Sequence, residues 1–106
     1  MPQPAPKSLI VGERCPAFLD WLRWQPCCIC TRLGLKQVTS SDPAHYHRTR
    51  IHGDVRNAIP LCRAHHDEQH RLGPRPFAAK YGLLPSGLAW EWWDAWVAYS
   101  AHALAF

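Results

Sequence analysis

Nine residues, Cys62 to His70, read CRAHHDEQH and hold one cysteine and three histidines, two of them adjacent. Upstream, CCIC puts Cys27, Cys28 and Cys30 within four positions. Cys27-x-x-Cys30 and Cys62-x-x-His65 each have the spacing that lets two side chains converge on one ion. Two such pairs complete a tetrahedral Cys3His shell for structural Zn2+. The 31 residues between Cys30 and Cys62 leave room for a hairpin and a loop. Cys28 competes with Cys27, but only Cys27 has the x-x spacing to Cys30. Cys15 and Cys28 are then spare thiols, and five cysteines with three clustered make a poor disulfide framework.

Helical geometry divides the histidines that follow. His66 and His70 are four apart and share one helix face, whereas His65 lies about 100° around from His66. His65 therefore goes with Cys62 to zinc, and His66 and His70 point elsewhere as a pair. Such a pair is either a solvated face or half of a second metal site. In AHYH, His45 and His47 are two apart, so on a strand they point the same way.

These side chains must be positioned by short elements. CPAFLDWLRWQP reads as a helix, with Pro16 in its first turn and Pro26 as its stop. After CCIC, Gly34 suits a turn, 35–39 a strand, SSDP a loop and AHYH a second strand. RTRIHGDVRN reads as a loop, and AIPLC leads into a helix over 63–72 closed by Gly73-Pro74. A short helical segment ends at Gly82. The last helix, about 86–104, has Ser86 as its N-cap and a core stripe of Leu88, Trp92, Trp96, Tyr99 and Ala103. Trp90 and Trp93 lie off that stripe and point to a partner or to the N-terminal helix.

The fold class expected is α+β: one small domain over 9–106 with a zinc-stapled core at about 26–73 and flanking helices. Residues 1–8, MPQPAPKS, read as a disordered proline-rich arm. They lack the apolar core of a signal peptide, and no apolar run is long enough to span a bilayer, so a soluble cytoplasmic protein with no membrane partner is expected. The net charge is +4, unevenly spread. From Arg23 to Lys80, ten Lys/Arg stand against four acids, an excess of six around the Cys and His residues. That balance suits either a polyanion such as nucleic acid or a plainly solvated face.

In their order, CCIC, AHYH, the asparagine of RNAIPLC, and CRAHH resemble the HNH, or ββα-metal (His-Me finger), endonuclease family. The likeness is greatest to the small phage and prophage recombination-nuclease branch with a PLCRxHHxxxH signature. It extends through FLDWLRWQPCCIC and HRLGPRPFAAKYGLLPSGLA, roughly residues 18 to 89. The resemblance implies an enzyme that hydrolyses phosphodiester bonds in DNA in a bacterial or phage-infected cell. It makes His45 the general base and gives His66, with His70, one divalent cation such as Mg2+ or Mn2+. Asn57 would orient the loop or the base histidine, and Arg48, Arg50, Arg56 and Arg63 would contact phosphates.

One position departs from the family pattern. Many members place an acidic residue or a second histidine directly before the base histidine, and this chain has Ala44. Water could complete the cation's shell, or His47, Asp42 or Asp54 could take part; His47 stands as ligand, substrate contact or base. The alternatives are a non-catalytic zinc-stapled nucleic-acid-binding module, and a scaffold whose Trp-rich C-terminal helix docks on a larger phage or recombination assembly. With no reading helix or aromatic stacking platform evident, DNA binding is expected to be backbone-led and weakly sequence-specific. Asp67 and Glu68 read as solvated helix residues.

Overall fold

AIPLC, five residues interrupted by a proline, forms the more deeply buried of two strands. The computed structural model describes residues 13–104, so the expected disordered arm lies outside the described residues. In chain order the elements are α1 (Pro16–Leu22), α2 (Cys28–Leu33), β1 (Ser41–His45) and α3 (Thr49–His52). They continue with β2 (Ala58–Cys62), α4 (Arg63–Leu72), α5 (Pro74–Tyr81) and α6 (Pro85–Leu104). This is an α+β arrangement around one two-stranded antiparallel sheet. No helix among the described residues is long and apolar enough to cross a membrane.

β1 and β2 pair from Ser41↔Cys62 to His45↔Ala58, which sets Pro43 opposite Pro60. The next pair along, Tyr46 and Asn57, is hydrogen-bonded, the Tyr46 N–H donating to the Asn57 carbonyl at 3.0 Å. Alternation then makes Ala44/Ile59 and Asp42/Leu61 the bonded rungs. The two prolines share a rung that needs no N–H. β2 is buried along its whole length. Ile59 and Leu61 enter one cluster with Ile29, Phe77 and Ala89, and Ala58 enters a second with Phe18, Leu22 and Trp93. A strand covered on both faces reads as a continuous apolar run.

That pairing corrects several expectations. Residues 35–39 form no strand: Leu35 and Val38 are 51% and 88% exposed, and β1 already has its partner in β2. The strand expected in AHYH begins earlier, at Ser41, taking in most of SSDP and ending at His45. The expected loop over RTRIHGDVRN contains the short α3. α6 begins at Pro85, one residue before the expected Ser86 cap, as a proline at a first helical position allows.

The N- and C-terminal helices meet through aromatics. Phe18 of α1 packs edge-on against Trp93 of α6, ring centroids 5.0 Å apart, and Trp21 lies 5.8 Å from Trp92 and 5.9 Å from Trp96. Trp93 is thus a core residue facing the N-terminal helix. Trp90 is half-exposed with the Arg56 guanidinium 3.7 Å over its ring. Within the expected stripe, Leu88, Trp92 and Trp96 are partly buried and Tyr99 is exposed, while the Ala103 side chain lies outside the description.

Candidate functional site

β2 runs into α4 with no intervening loop, so Cys62 is both the last strand residue and the N-cap of the helix. Cys27 is likewise the N-cap of α2, and its sulfur accepts the Cys30 N–H at 3.5 Å. Each x-x pair therefore occupies the N-cap and third position of a helix, the two places whose side chains fold toward each other. The four ligand atoms of Cys27, Cys30, Cys62 and His65 all lie within 4.8 Å of one another. A tetrahedron with zinc–sulfur bonds of about 2.3 Å has S···S edges of about 3.8 Å and S···N edges of about 3.6 Å. Cys30 and Cys62 sulfurs are 3.8 Å apart. His65 Nδ1 is 3.6, 3.6 and 3.2 Å from Cys27, Cys30 and Cys62. The cluster could hold a zinc ion.

Burial and the neighbouring sulfurs of Cys62 and Cys27 push the Cys30 thiol up to about 12. Three thiolates so close together require a cation, and metal binding would expel their protons. Cys28 lies outside the cluster, against Trp92, where burial raises its thiol to about 11. Cys15 is also apart; its backbone N–H donates to Asp54 at 2.7 Å. The Cys27–Cys28 competition is thereby resolved in favour of Cys27.

A second centre lies beside the first. His45, His47, Arg48, His66 and His70 line one cavity of about 380 Å³. His66 Nδ1 is 3.1 Å from Asp42 Oδ2, and His66 Nε2 is 3.1 Å from His70 Nε2. With Asp42 accepting from Nδ1–H, the Nε2 lone pair of His66 is directed toward His70. The 3.1 Å between the two Nε2 atoms is within hydrogen-bond reach, so His70 Nε2–H can donate to His66 Nε2. Each of the two carboxylates weighed beside Ala44 contacts a histidine: Asp42 His66, and Asp54 His45.

His45 ends β1, and its Nε2 lies 2.9 Å from Oδ1 of the fully buried Asp54. Burial opposes charge on Asp54, yet the Cys15 N–H, the His45 ring and Arg14 outweigh it and lower the carboxyl below its ordinary value. An ionised carboxylate only accepts, so His45 donates to it from Nε2–H, leaving Nδ1 facing away from Asp54. His47, two residues beyond, has no carboxylate partner among the described residues; its ring lies 4.5 Å from that of His52, tilted by 30°. Burial, then the charges of His52 and Arg75, hold the His47 pKa down. Buried Asn57 bonds to the backbone of His47 and not to the His45 ring. Its Oδ1 accepts the His47 N–H at 2.8 Å, and its amide donates to the carbonyls of His47 and Gly53.

Because Asp54 is ionised more readily folded than unfolded, its stabilisation is present above the unfolded value and is lost as pH falls through the lowered one. The stability difference between parent and Asp54→Asn in urea titrations is therefore expected to shrink steadily from pH 6 to pH 3. A difference independent of pH would contradict this ion pairing.

The arginines divide by partner. Arg63 pairs with Asp42 at 3.2 Å and lies 3.8 Å from Asp67; Arg56 covers Trp90. Arg48 lines the cavity and Arg50 is exposed on α3. Asp67 is exposed as expected, but Glu68 is not a solvated residue. Its carboxylate takes hydrogen bonds from Lys80 and Tyr81 of α5, and despite burial those contacts lower its pKa. Tyr81 in turn sits edge-on to the His65 ring at 5.8 Å, tying α5 to the Cys3His cluster. Sequence reasoning missed Asp54 and Asp42 as histidine partners, since each is remote in sequence from the ring it holds.

Comparison with protein-family models, with curated proteins and with solved structures finds no match for this chain.

Proposed function

We propose that this chain is a divalent-cation-dependent endonuclease of the HNH, or ββα-metal, type that hydrolyses phosphodiester bonds in DNA. One observation carries the reading: His45, His66 and His70 line one cavity, and a carboxylate fixes the nitrogens of His45 and His66. The β1–β2–α4 order, stapled by the Cys3His cluster, supports it. The basic central segment suits a polyanionic substrate.

His45 Nδ1 takes the proton of the attacking water, a role its Asp54-fixed tautomer leaves open to it. Asp54 then faces the imidazolium that forms and stabilises it. His66 and His70 would hold the divalent cation, which when bound stabilises charge on the scissile phosphate and the departing 3′ oxygen. Arg48, on the cavity wall, contacts the phosphate. Asn57 holds the 47–53 loop so that the wall keeps its shape.

A plasmid-nicking assay with Mg2+, Mn2+ and other divalent cations tests the proposal. The zinc-loaded parent is expected to convert supercoiled plasmid to nicked or linear forms. His66→Ala is expected to lose about a hundredfold or more of that activity while keeping its zinc and melting temperature. Intact plasmid under every cation would sink the reading in favour of a non-catalytic zinc-stapled binding module. Ala44 favours that second reading, because the position before His45 offers no ligand.

A further inference from the structure

The histidine cavity continues into a second groove. Tyr46, His47 and Pro74 line both, and the second, also about 380 Å³, is completed by Arg75 and Pro76. Its walls are one phenol ring and two proline rings, with one guanidinium, one imidazole and no carboxylate. Among the described residues Arg75 has no carboxylate partner, whereas Arg14, Arg63 and Arg71 do. Both walls are held in place. Prolines 74 and 76 stiffen the first turn of α5, and Asn57 pins the backbone of His47 from the other side. An open, mostly apolar groove beside a single cation matches one nucleotide, whose base needs a stacking face and whose phosphate needs a positive charge.

We propose that this groove seats the nucleotide adjoining the scissile phosphodiester, its base between Tyr46 and the prolines and its phosphate on Arg75. The inference rests on the nuclease reading for which phosphate is scissile, but the binding it describes does not need cleavage. A base stacked inside a duplex cannot enter such a groove, so the preferred substrate has an unpaired nucleotide next to the cut: a single strand, a flap or a frayed end. This adds an aromatic platform that the sequence did not announce.

The test is fluorescence anisotropy of the full chain with no divalent cation added. The probes are a labelled single-stranded DNA oligonucleotide, its duplex, and the same strand made abasic. The parent is expected to bind the single strand more tightly than the duplex. Tyr46→Ala is expected to weaken single-strand binding about tenfold and to leave the abasic strand unaffected; Tyr46→Phe keeps the parent's affinity. Arg75→Gln is expected to weaken both strands and to reduce the salt slope by about 0.7, the share of one phosphate. Equal affinity for strand and duplex, a Tyr46→Ala loss that persists on the abasic strand, or an unchanged salt slope in Arg75→Gln would each overturn the proposal. A protein that binds as described yet never cuts DNA removes the nuclease reading alone. One that cuts duplex with no dependence on Tyr46 or Arg75 removes this inference alone.

Discussion

Cys62→Ser is expected to yield a chain without zinc and without a cooperative thermal transition, whereas the parent carries one zinc per chain and melts sharply. The comparison of magnitudes decides this. Structural zinc binds small peptides with about 10–16 kcal/mol of apparent free energy, as much as the whole stability of about 5–15 kcal/mol typical of a domain. The chain has 106 residues, and domains of that size have little stability to spare. Serine nearly matches cysteine in size, so lost packing cannot account for unfolding. Cys28→Ser is the control: that thiol is also largely enclosed but stands outside the cluster. It is expected to keep its zinc and to melt within a few degrees of the parent. Metal analysis and circular dichroism on the same samples read both outcomes. A Cys62→Ser protein that melts like the parent would show that the cluster does not staple the fold.

His45→Ala carries the second large effect. Loss of a general base lowers a rate by roughly 10²–10⁴-fold, and plasmid cleavage is expected to fall by that amount at saturating cation. The ring is partly exposed, with 20% of its side-chain surface accessible, so its removal leaves the apolar clusters intact. Zinc content is expected to stay at the parent's, and melting to fall modestly, because buried Asp54 keeps Arg14 and the Cys15 N–H but loses the ring. Asp54→Asn probes the same base through its partner. An amide can still accept from Nε2, but it no longer offsets charge on the ring, so activity falls. His47→Ala separates the two candidate bases: a loss equal to that of His45→Ala would move the role to His47.

The Cys3His set was legible because a zinc shell is written in local spacing. The x-x interval places each pair at the N-cap and third position of a helix whatever the rest of the chain does. The 63–72 helix and the Gly82 stop were legible for similar reasons, a local period and a left-handed cap with φ of 63°. The sheet was not. Pro43 and Pro60 each argue locally against a strand, and only their sharing of one unbonded rung removes the objection. The all-apolar burial of 58–62 was the missed signal, since a run of that length covered on both faces carries no alternation to detect. Asp42 and Asp54 were weighed as substitutes for Ala44. Their contacts with His66 and His45 span 24 and 9 residues, which no spacing rule could supply.

The shared proline rung has a further consequence, for how the ribbon meets other chains. At an unbonded rung the backbone groups point outward, to the two free edges of the sheet. Both edges therefore lack a donor at mid-strand, where an incoming strand would need one. The β2 margin is buried, so the margin open to templated strand addition is that of β1, where a proline is a known safeguard. Pro43 closes the β1 margin to strand addition, while Pro60 leaves the buried β2 margin without an orphaned N–H at that rung.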